Sequence, residues 1–208
     1  MLREGIGLVH AVAYTHAHAD HLFGLDDLRV FPRYLGHAMP IHCEPEVERA
    51  IRRSFAYAFD PAVQSFPAGG VPKLVFRPIG TQPFDVLGAT VTPIRLLHGP
   101  MPILGYRVGN VAYCTDVKEI PTESMDRLQG LDVLVLDGLR REPHVTHLSL
   151  GEAVEIARRL APKRTLFTHM AHRLEHEATN RTLPAGMELA YDGLAILLNQ
   201  EARHSCLA

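Results

Sequence analysis

Cysteine is scarce in this chain. Cys43, Cys114 and Cys206 are an odd, widely spaced set of three among 208 residues, with no C-x-x-C pair. A disulfide framework or a thiolate zinc site is therefore not expected, and a reduced, cytoplasmic setting is. Net charge is small as well: 21 Lys and Arg stand against 23 Asp and Glu, a formal −2. That excludes nucleic-acid binding through bulk charge, and there is no acidic tail. No apolar run approaches the length of a membrane span, and the opening MLREGIGLVH lacks the layout of a signal peptide. Disorder is excluded too, because 47% hydrophobic and 21% charged residues are an ordinary globular balance. A chain of this length supports one domain with a real core, taken as residues 1–208.

Histidine is in excess: there are 13, against 6 Tyr and 8 Phe. Imidazole in such number makes metal binding worth testing against the order of elements. His10–Thr15 reads as a buried strand running into a His-rich turn, and Ile41–Cys43 as a short strand. Pro45 opens an amphipathic helix with Val47, Ala50, Ile51, Phe55 and Ala58 on one face. Phe66–Pro72 reads as a loop. Lys73–Ile79, Val91–Leu97, Ile103–Val108 and Val111–Thr115 are strand-like, with a hairpin signal at Gly109-Asn110. Val133–Leu136 is apolar throughout, as in a doubly buried strand. Ser149 and Glu152 form a capping box ahead of a helix with Ala153, Val154, Ala157 and Leu160 on one face. Thr165–Thr168 and Ala195–Leu198 are further expected strands, and Arg3–Leu8 resembles the tail of a helix. The class is mixed α/β with central hairpins, unlike the strict βαβ alternation of a doubly wound fold.

Four candidate ligands fall within six residues in Thr15-His16-Ala17-His18-Ala19-Asp20-His21. In extended backbone His16 and His18 point the same way. Asp20 and His21 follow where the chain turns into a helix and can face a second point, which suits two adjacent ions. Further candidates stand at strand ends: His98, Asp116 and His169. Should those ends share one edge of a sheet, seven ligands converge. Nitrogen and carboxylate donors without thiolate suit zinc, manganese or iron. Asp137 ends an apolar strand and either orients a ligand histidine or simply terminates the strand. Arg140 and Arg141 read as a solvated loop or as phosphate contacts, and Cys114 as core.

The T-H-x-H-x-D-H motif, followed by His, Asp and His in that order, resembles the metallo-β-lactamase superfamily of binuclear metallohydrolases. The resemblance implies an αββα sandwich with two divalent metal ions at one edge, zinc first, manganese or iron as alternatives. His16, His18 and His98 would hold one ion, Asp20, His21 and His169 the other, and Asp116 would bridge them. A bridging hydroxide would be the nucleophile. Gly24–Arg29 and the late stretches His147–Leu150, Thr168–His172 and Ala190–Gly193 are similar to the branch containing phosphoribosyl 1,2-cyclic phosphate phosphodiesterase and its sister ribonuclease Z. In that branch a histidine placed like His147 lies beside the scissile phosphate, where it protonates the leaving oxygen or stabilises charge. His147 and Asp20 are accordingly the candidate catalytic residues, and His172 and Asp192 candidate substrate contacts. The branch's N-terminal Cys-rich zinc motif is absent.

Members of the superfamily place several strands ahead of the first histidine motif, whereas fourteen residues precede Thr15 here. The chain is thus expected to be N-terminally incomplete, as a fragment or mis-started product, or to form a homodimer covering the missing surface. The expected activity is a metal-dependent phosphodiesterase acting on a small cyclic phosphate or nucleotide. Two alternatives stand beside it: a thioester or lactone hydrolase with the same centre, and a truncated metal-binding chain without turnover. Action on tRNA is not expected, because there is no long inserted arm and no basic excess.

Overall fold

The computed structural model describes residues 2–65 and 70–198. Much of the loop expected at Phe66–Pro72, and Cys206, lie outside the described residues. Strands β1 (Val12–Ala13), β2 (Met39–Cys43) and β3 (Leu74–Pro78) make a parallel three-stranded sheet in that order. A seven-stranded sheet holds β4 (Phe84–Val86), β5 (Ala89–His98), β6 (Met101–Val108), β7 (Val111–Cys114), β8 (Val133–Asp137), β9 (Arg164–Thr168) and β10 (Met187–Leu189). It is antiparallel from β4 to β7 and parallel from β7 to β10. The helices are α1 (Ala19–Leu22), α2 (Phe31–Leu35), α3 (Pro45–Ser54), α4 (Pro61–Gln64), α5 (Thr122–Arg127), α6 (Leu150–Leu160) and α7 (His176–Asn180).

Local sequence explains most of this. β6 and β7 are joined by Gly109-Asn110, where Gly109 has φ +55°, a conformation open to glycine at little cost. The apolar run of β8 sits between two parallel neighbours and is buried at four of its five positions. α6 begins with the full capping box: Glu152 N–H donates to Ser149 Oγ, and Ser149 N–H donates to the Glu152 carboxylate. It buries Leu150, Ala153, Ala157 and Leu160 against β8 and β9, at about 1.5–3 kcal/mol for each fully buried leucine. One core lies between the seven-stranded sheet and α5 and α6; a second packs α2 and α3 on the three-stranded sheet.

Several expectations are corrected. Ala195–Leu198 is not a strand: Leu197 is exposed and the segment has no ladder partner among the described residues, while Met187–Leu189 takes the sheet edge beside β9. β1 spans two residues and not six, because only Val12 and Ala13 are in register with β2. The face begun by α3 ends at Ser54, since Phe55 leaves helical geometry (φ −117°, ψ 40°), and Ala58 is buried from a following 3-10 turn. Leu2–Glu4 is a single 3-10 turn and not a helix tail. The three-residue strand β4 was too short to register as a pattern.

The two sheets are tied together beside the His-rich turn. Tyr106 Oη donates to the Tyr14 carbonyl at 2.6 Å, and Leu104 N–H donates to the Thr15 carbonyl at 3.1 Å. Arg95 on β5 forms a two-point ion pair with Glu44, which precedes α3, at 2.5 and 2.9 Å. The chain entering the motif is therefore fixed from the opposite sheet. Among the described residues no helix is long and apolar enough to cross a membrane.

Candidate metal centre

β1 delivers the chain to Thr15 and His16, both buried. His18 is the extended N-cap of α1 (φ −67°, ψ 153°), and the helix then swings Asp20 and His21 round to the same space. His98 ends β5, Asp116 lies two residues beyond β7, and His169 follows β9. Asp116 and His169 both have left-handed backbone, φ +56° and +58°. For non-glycine residues this costs on the order of 1–3 kcal/mol each, and such strain concentrates at functional sites. The Thr115 hydroxyl helps to hold the Asp116 carboxylate, donating to Oδ1 at 2.6 Å.

The donors fall into two groups that share Asp116. His16, His18, His98 and Asp116 form one; Asp20, His21, Asp116 and His169 the other, each with donor atoms within 4.8 Å of one another. His21 Nε2 lies 3.1 Å from Asp116 Oδ1, and His169 Nε2 lies 3.2 Å from Oδ2. Yet His16 Nε2 is buried with no hydrogen-bond partner among the described residues. Orphaned buried nitrogens are costly unless something else binds them. Outer partners turn these lone pairs inward. Thr15 Oγ1 lies 3.0 Å from His16 Nδ1, and His98 Nδ1–H donates to the Thr146 carbonyl at 2.7 Å, the arrangement that orients metal-binding imidazoles.

The electrostatics agree with this donor set. Burial, aided by the nearby His21, pushes His16 down to about 4, and burial also lowers His98. Both rings are thus neutral at pH 7, as a ligand must be. For Asp116, burial acts to raise the pKa, but hydrogen bonds with His21 and Thr115 outweigh it and keep the carboxyl well below the usual range. His21 is raised, chiefly by its approach to Asp116. The neutral rings of His16 and His98, the ionised Asp116 and the orphaned His16 nitrogen, in a set of donors converging on two points, fit a pair of divalent cations.

A third group of Asp137, His147 and His169 adjoins the first two. His147 Nδ1–H donates to Asp137 Oδ2 at 2.8 Å, so Asp137 holds a histidine, but one outside the set expected as metal ligands. Burial raises the Asp137 carboxyl and the hydrogen bond from His147 opposes it. The His147 ring lies 4.4 Å from that of His98 and stacks on His169 at 4.8 Å. His144, which no sequence argument singled out, stands 5.2 Å from His147. Its spacing of three residues before His147 was the only available signal. Arg140 and Arg141 brace their loop: Arg140 donates to the Glu142 and Pro143 carbonyls, and Arg141 to Thr179 Oγ1. His172 is exposed, and Asp192 pairs with Arg3 at 3.4 Å with its side chain 90% exposed; neither joins the three donor groups. Cys43 and Cys114 are buried free thiols, both pushed up to about 12 by burial.

A family model described as a beta-lactamase superfamily domain matches residues 2–170. The chain is 32% identical over 203 residues to an octanoyltransferase of Porphyromonas gingivalis, covering 96% of this chain. It spans 40% of the length of that curated relative, so the name describes a much longer protein. Among solved structures, the chain is similar to a new diphosphatase from the PhnP family, at 44% identity and a TM-score of 0.84, over 93% of this chain and 72% of that one. It is also similar to the short form of human tRNase Z, at 18% identity and a TM-score of 0.64, over 90% and 78% of the two chains. At that identity the likeness is one of fold alone.

Proposed function

Because this chain belongs to the beta-lactamase superfamily, we propose that its donor cluster serves a metal-dependent phosphodiesterase acting on a small cyclic phosphate or nucleotide. The observation that carries this reading is the buried Asp137–His147 pair set against the two donor groups. His16, His18 and His98 would hold one divalent ion and Asp20, His21 and His169 the second, with Asp116 common to both donor groups. Zinc is the first choice, with manganese or iron as alternatives; such a pair supplies a water of lowered pKa and polarises phosphoryl oxygens. The chain's own residues do the rest. Asp137 keeps the His147 ring in one orientation with Nδ1–H committed, so a proton carried at Nε2 is the one delivered to the leaving oxygen. The buried carboxylate also stabilises the imidazolium that holds that proton. Asp20, whose side chain is 63% exposed, is the carboxylate of the cluster open to substrate and solvent.

The diphosphatase relative supports phosphoryl chemistry at this site. The second reading, hydrolysis of a thioester or lactone, takes its support from the acyl chemistry in the name of the Porphyromonas gingivalis protein. A metal centre alone suffices for that reaction and leaves His147 without a task. Acyl transfer through either described thiol is disfavoured by burial and a pKa near 12. For partners, a second copy pairing along the edge strand β1 completes the proposal; a monomeric mass by light scattering at assay concentration removes it. The activity itself is tested by reconstituting the protein with Zn²⁺ or Mn²⁺ and screening a phosphodiester, a phosphomonoester, a thioester and a lactone. Turnover of the phosphodiester is expected. Turnover of the thioester or lactone without it overturns the reading.

A further inference from the structure

His98 leaves β5 through a two-residue turn, since it pairs with Met101 at the head of β6. Gly99, the first residue of that turn, has φ +59°, a conformation that glycine adopts at little cost. Its missing side chain matters as much as its backbone. A Cβ there would lie 2.8 Å from Thr146 Cγ2, 3.5 Å from Thr146 Cβ and 3.7 Å from Thr146 Cα. Thr146 stands 48 residues beyond His98, in the connection from β8 to α6. The same close approach lets the Thr146 carbonyl accept the His98 Nδ1–H at 2.7 Å. With Nδ1 committed, the lone pair of the neutral ring is on Nε2, and His98 is one of the four donors of the first group.

Thr146 is held on its other sides too. Its N–H donates to His144 Nδ1 at 3.3 Å, and its hydroxyl lies 3.2 Å from the same atom. Two residues on, Leu148 N–H donates at 2.7 Å to the carbonyl of Val117, the neighbour of Asp116, and the Leu148 carbonyl accepts from Leu139 N–H at 3.1 Å. Thr146–Leu148 is therefore a strap anchored next to two donor positions, His98 and Asp116. The methyl group of Thr146 has little freedom to move aside. A β-branched side chain is stiff at χ1, and turning it would take the hydroxyl away from His144. A side chain at position 99 would thus displace the strap, and the carbonyl with it.

We infer that Thr146 is a positioning residue for the metal centre, and that the bare backbone of Gly99 is what lets its carbonyl reach and orient His98. The partners that orient a ligand histidine typically contribute 10–100-fold to metal affinity, roughly the effect expected here. The inference rests on the metal-centre part of the proposed function and is independent of the substrate.

The test reads Zn²⁺ affinity by competition with a chromogenic chelator on the metal-stripped full chain, alongside the melting temperature of the metal-free protein. Gly99→Ala should weaken one of the two binding events by roughly 10–100-fold. Gly109→Ala is the control: Gly109 has φ +55° but nothing within 4 Å of an added Cβ, so it carries the backbone strain without the contact. It should lower the melting temperature and leave Zn²⁺ affinity at the wild-type level. Thr146→Ser removes Cγ2 and keeps the hydroxyl, leaving Thr146 Cβ at 3.5 Å as the nearest atom of that residue. Combined with Gly99→Ala, it should restore most of the affinity, a rescue that general destabilisation does not give. Should Gly99→Ala fail to fold, Thr146→Gly, which frees the strap from both Gly99 and His144, should weaken the same binding event. Wild-type affinity in Gly99→Ala, an equal loss in Gly109→Ala, or no rescue by Thr146→Ser overturns the inference and leaves the metal-centre reading standing. A wild type that binds no Zn²⁺ overturns that reading and the inference with it.

Discussion

Asp137 touches the proposed chemistry only through His147, and this makes a sharp prediction. Its side chain is fully buried, and Oδ2 accepts the His147 Nδ1–H at 2.8 Å while Oδ1 has no partner among the described residues. Asp137→Asn preserves shape and an acceptor oxygen but removes the charge facing the imidazolium. A hydrogen bond to a charged group contributes about 1.5–3 kcal/mol. At about 1.4 kcal/mol per decade of rate, the loss in kcat should be roughly 10–150-fold. His147→Ala removes the proton donor itself and should cost roughly 10²–10⁴-fold. Because the carboxylate acts through the ring, the double variant should be no slower than His147→Ala alone. The assay is kcat for two phosphodiesters, one with a p-nitrophenol leaving group and one with an alkyl alcohol, alongside metal content. Both variants should lose far more on the alkyl ester, which needs the proton, and metal content should stay at wild-type level. Multiplicative losses in the double variant would show Asp137 acting on its own. Equal losses for the two leaving groups would refute the acid role, and loss of metal would make His147 a ligand.

Three further outcomes follow from the same geometry. Asp116→Ala removes the carboxylate shared by the two donor groups; elemental analysis should show less metal per chain and turnover should vanish, whereas unchanged turnover would refute its bridging position. His42 is partly buried on β2, stacked on Phe84 at 4.7 Å, with Nδ1 unpartnered among the described residues and its pKa lowered first by burial and then by Arg77. The unfolded ring gains its proton at about pH 6.5 and the folded ring at a lower pH, so its contribution is complete above about pH 6.5 and declines as pH falls below it. His42→Phe should flatten that limb of the urea-unfolding stability curve relative to wild type, and a curve of unchanged slope would refute the assignment. Gly105→Ala places a Cβ 2.7 Å from the Tyr113 carbonyl and 2.9 Å from Leu96 Cδ1; overpacking of about 1–3 kcal/mol should lower the melting temperature, and an unchanged value would show that the cradle relaxes freely.

The His-rich part of the candidate donor cluster was legible in the sequence because its spacing is local. His16 and His18 share a face of extended chain, and Asp20 and His21 turn with the four residues of α1, so contiguous residues define the geometry. The capping box of α6 and the Gly109-Asn110 turn were readable for the same reason: each depends on partners within a few residues. Gly99 against Thr146, Asp137 with His147 and the tether from Tyr106 to Tyr14 were not readable, because each joins segments that only packing brings together.

Ala195–Leu198 failed as a strand although its composition fits one, while Met187–Leu189 succeeded with no stronger pattern. What separates them is a free ladder beside β9, which belongs to the sheet and not to the segment. The chain by itself determined which residues can bind a metal and which turns present them. Only the tertiary structure decided that they meet. β7, β8 and β9 run parallel in a register that sets Cys114 beside Leu136 and Leu136 beside Phe167. Asp116, Asp137 and His169 therefore leave the sheet at one edge, and the contacts of β6 with Tyr14 and Thr15 bring the His-rich turn of the other sheet to that same edge. Neighbouring parallel strands must end on the same side, so the hydrogen-bond ladder gathers candidate donors that lie far apart along the chain.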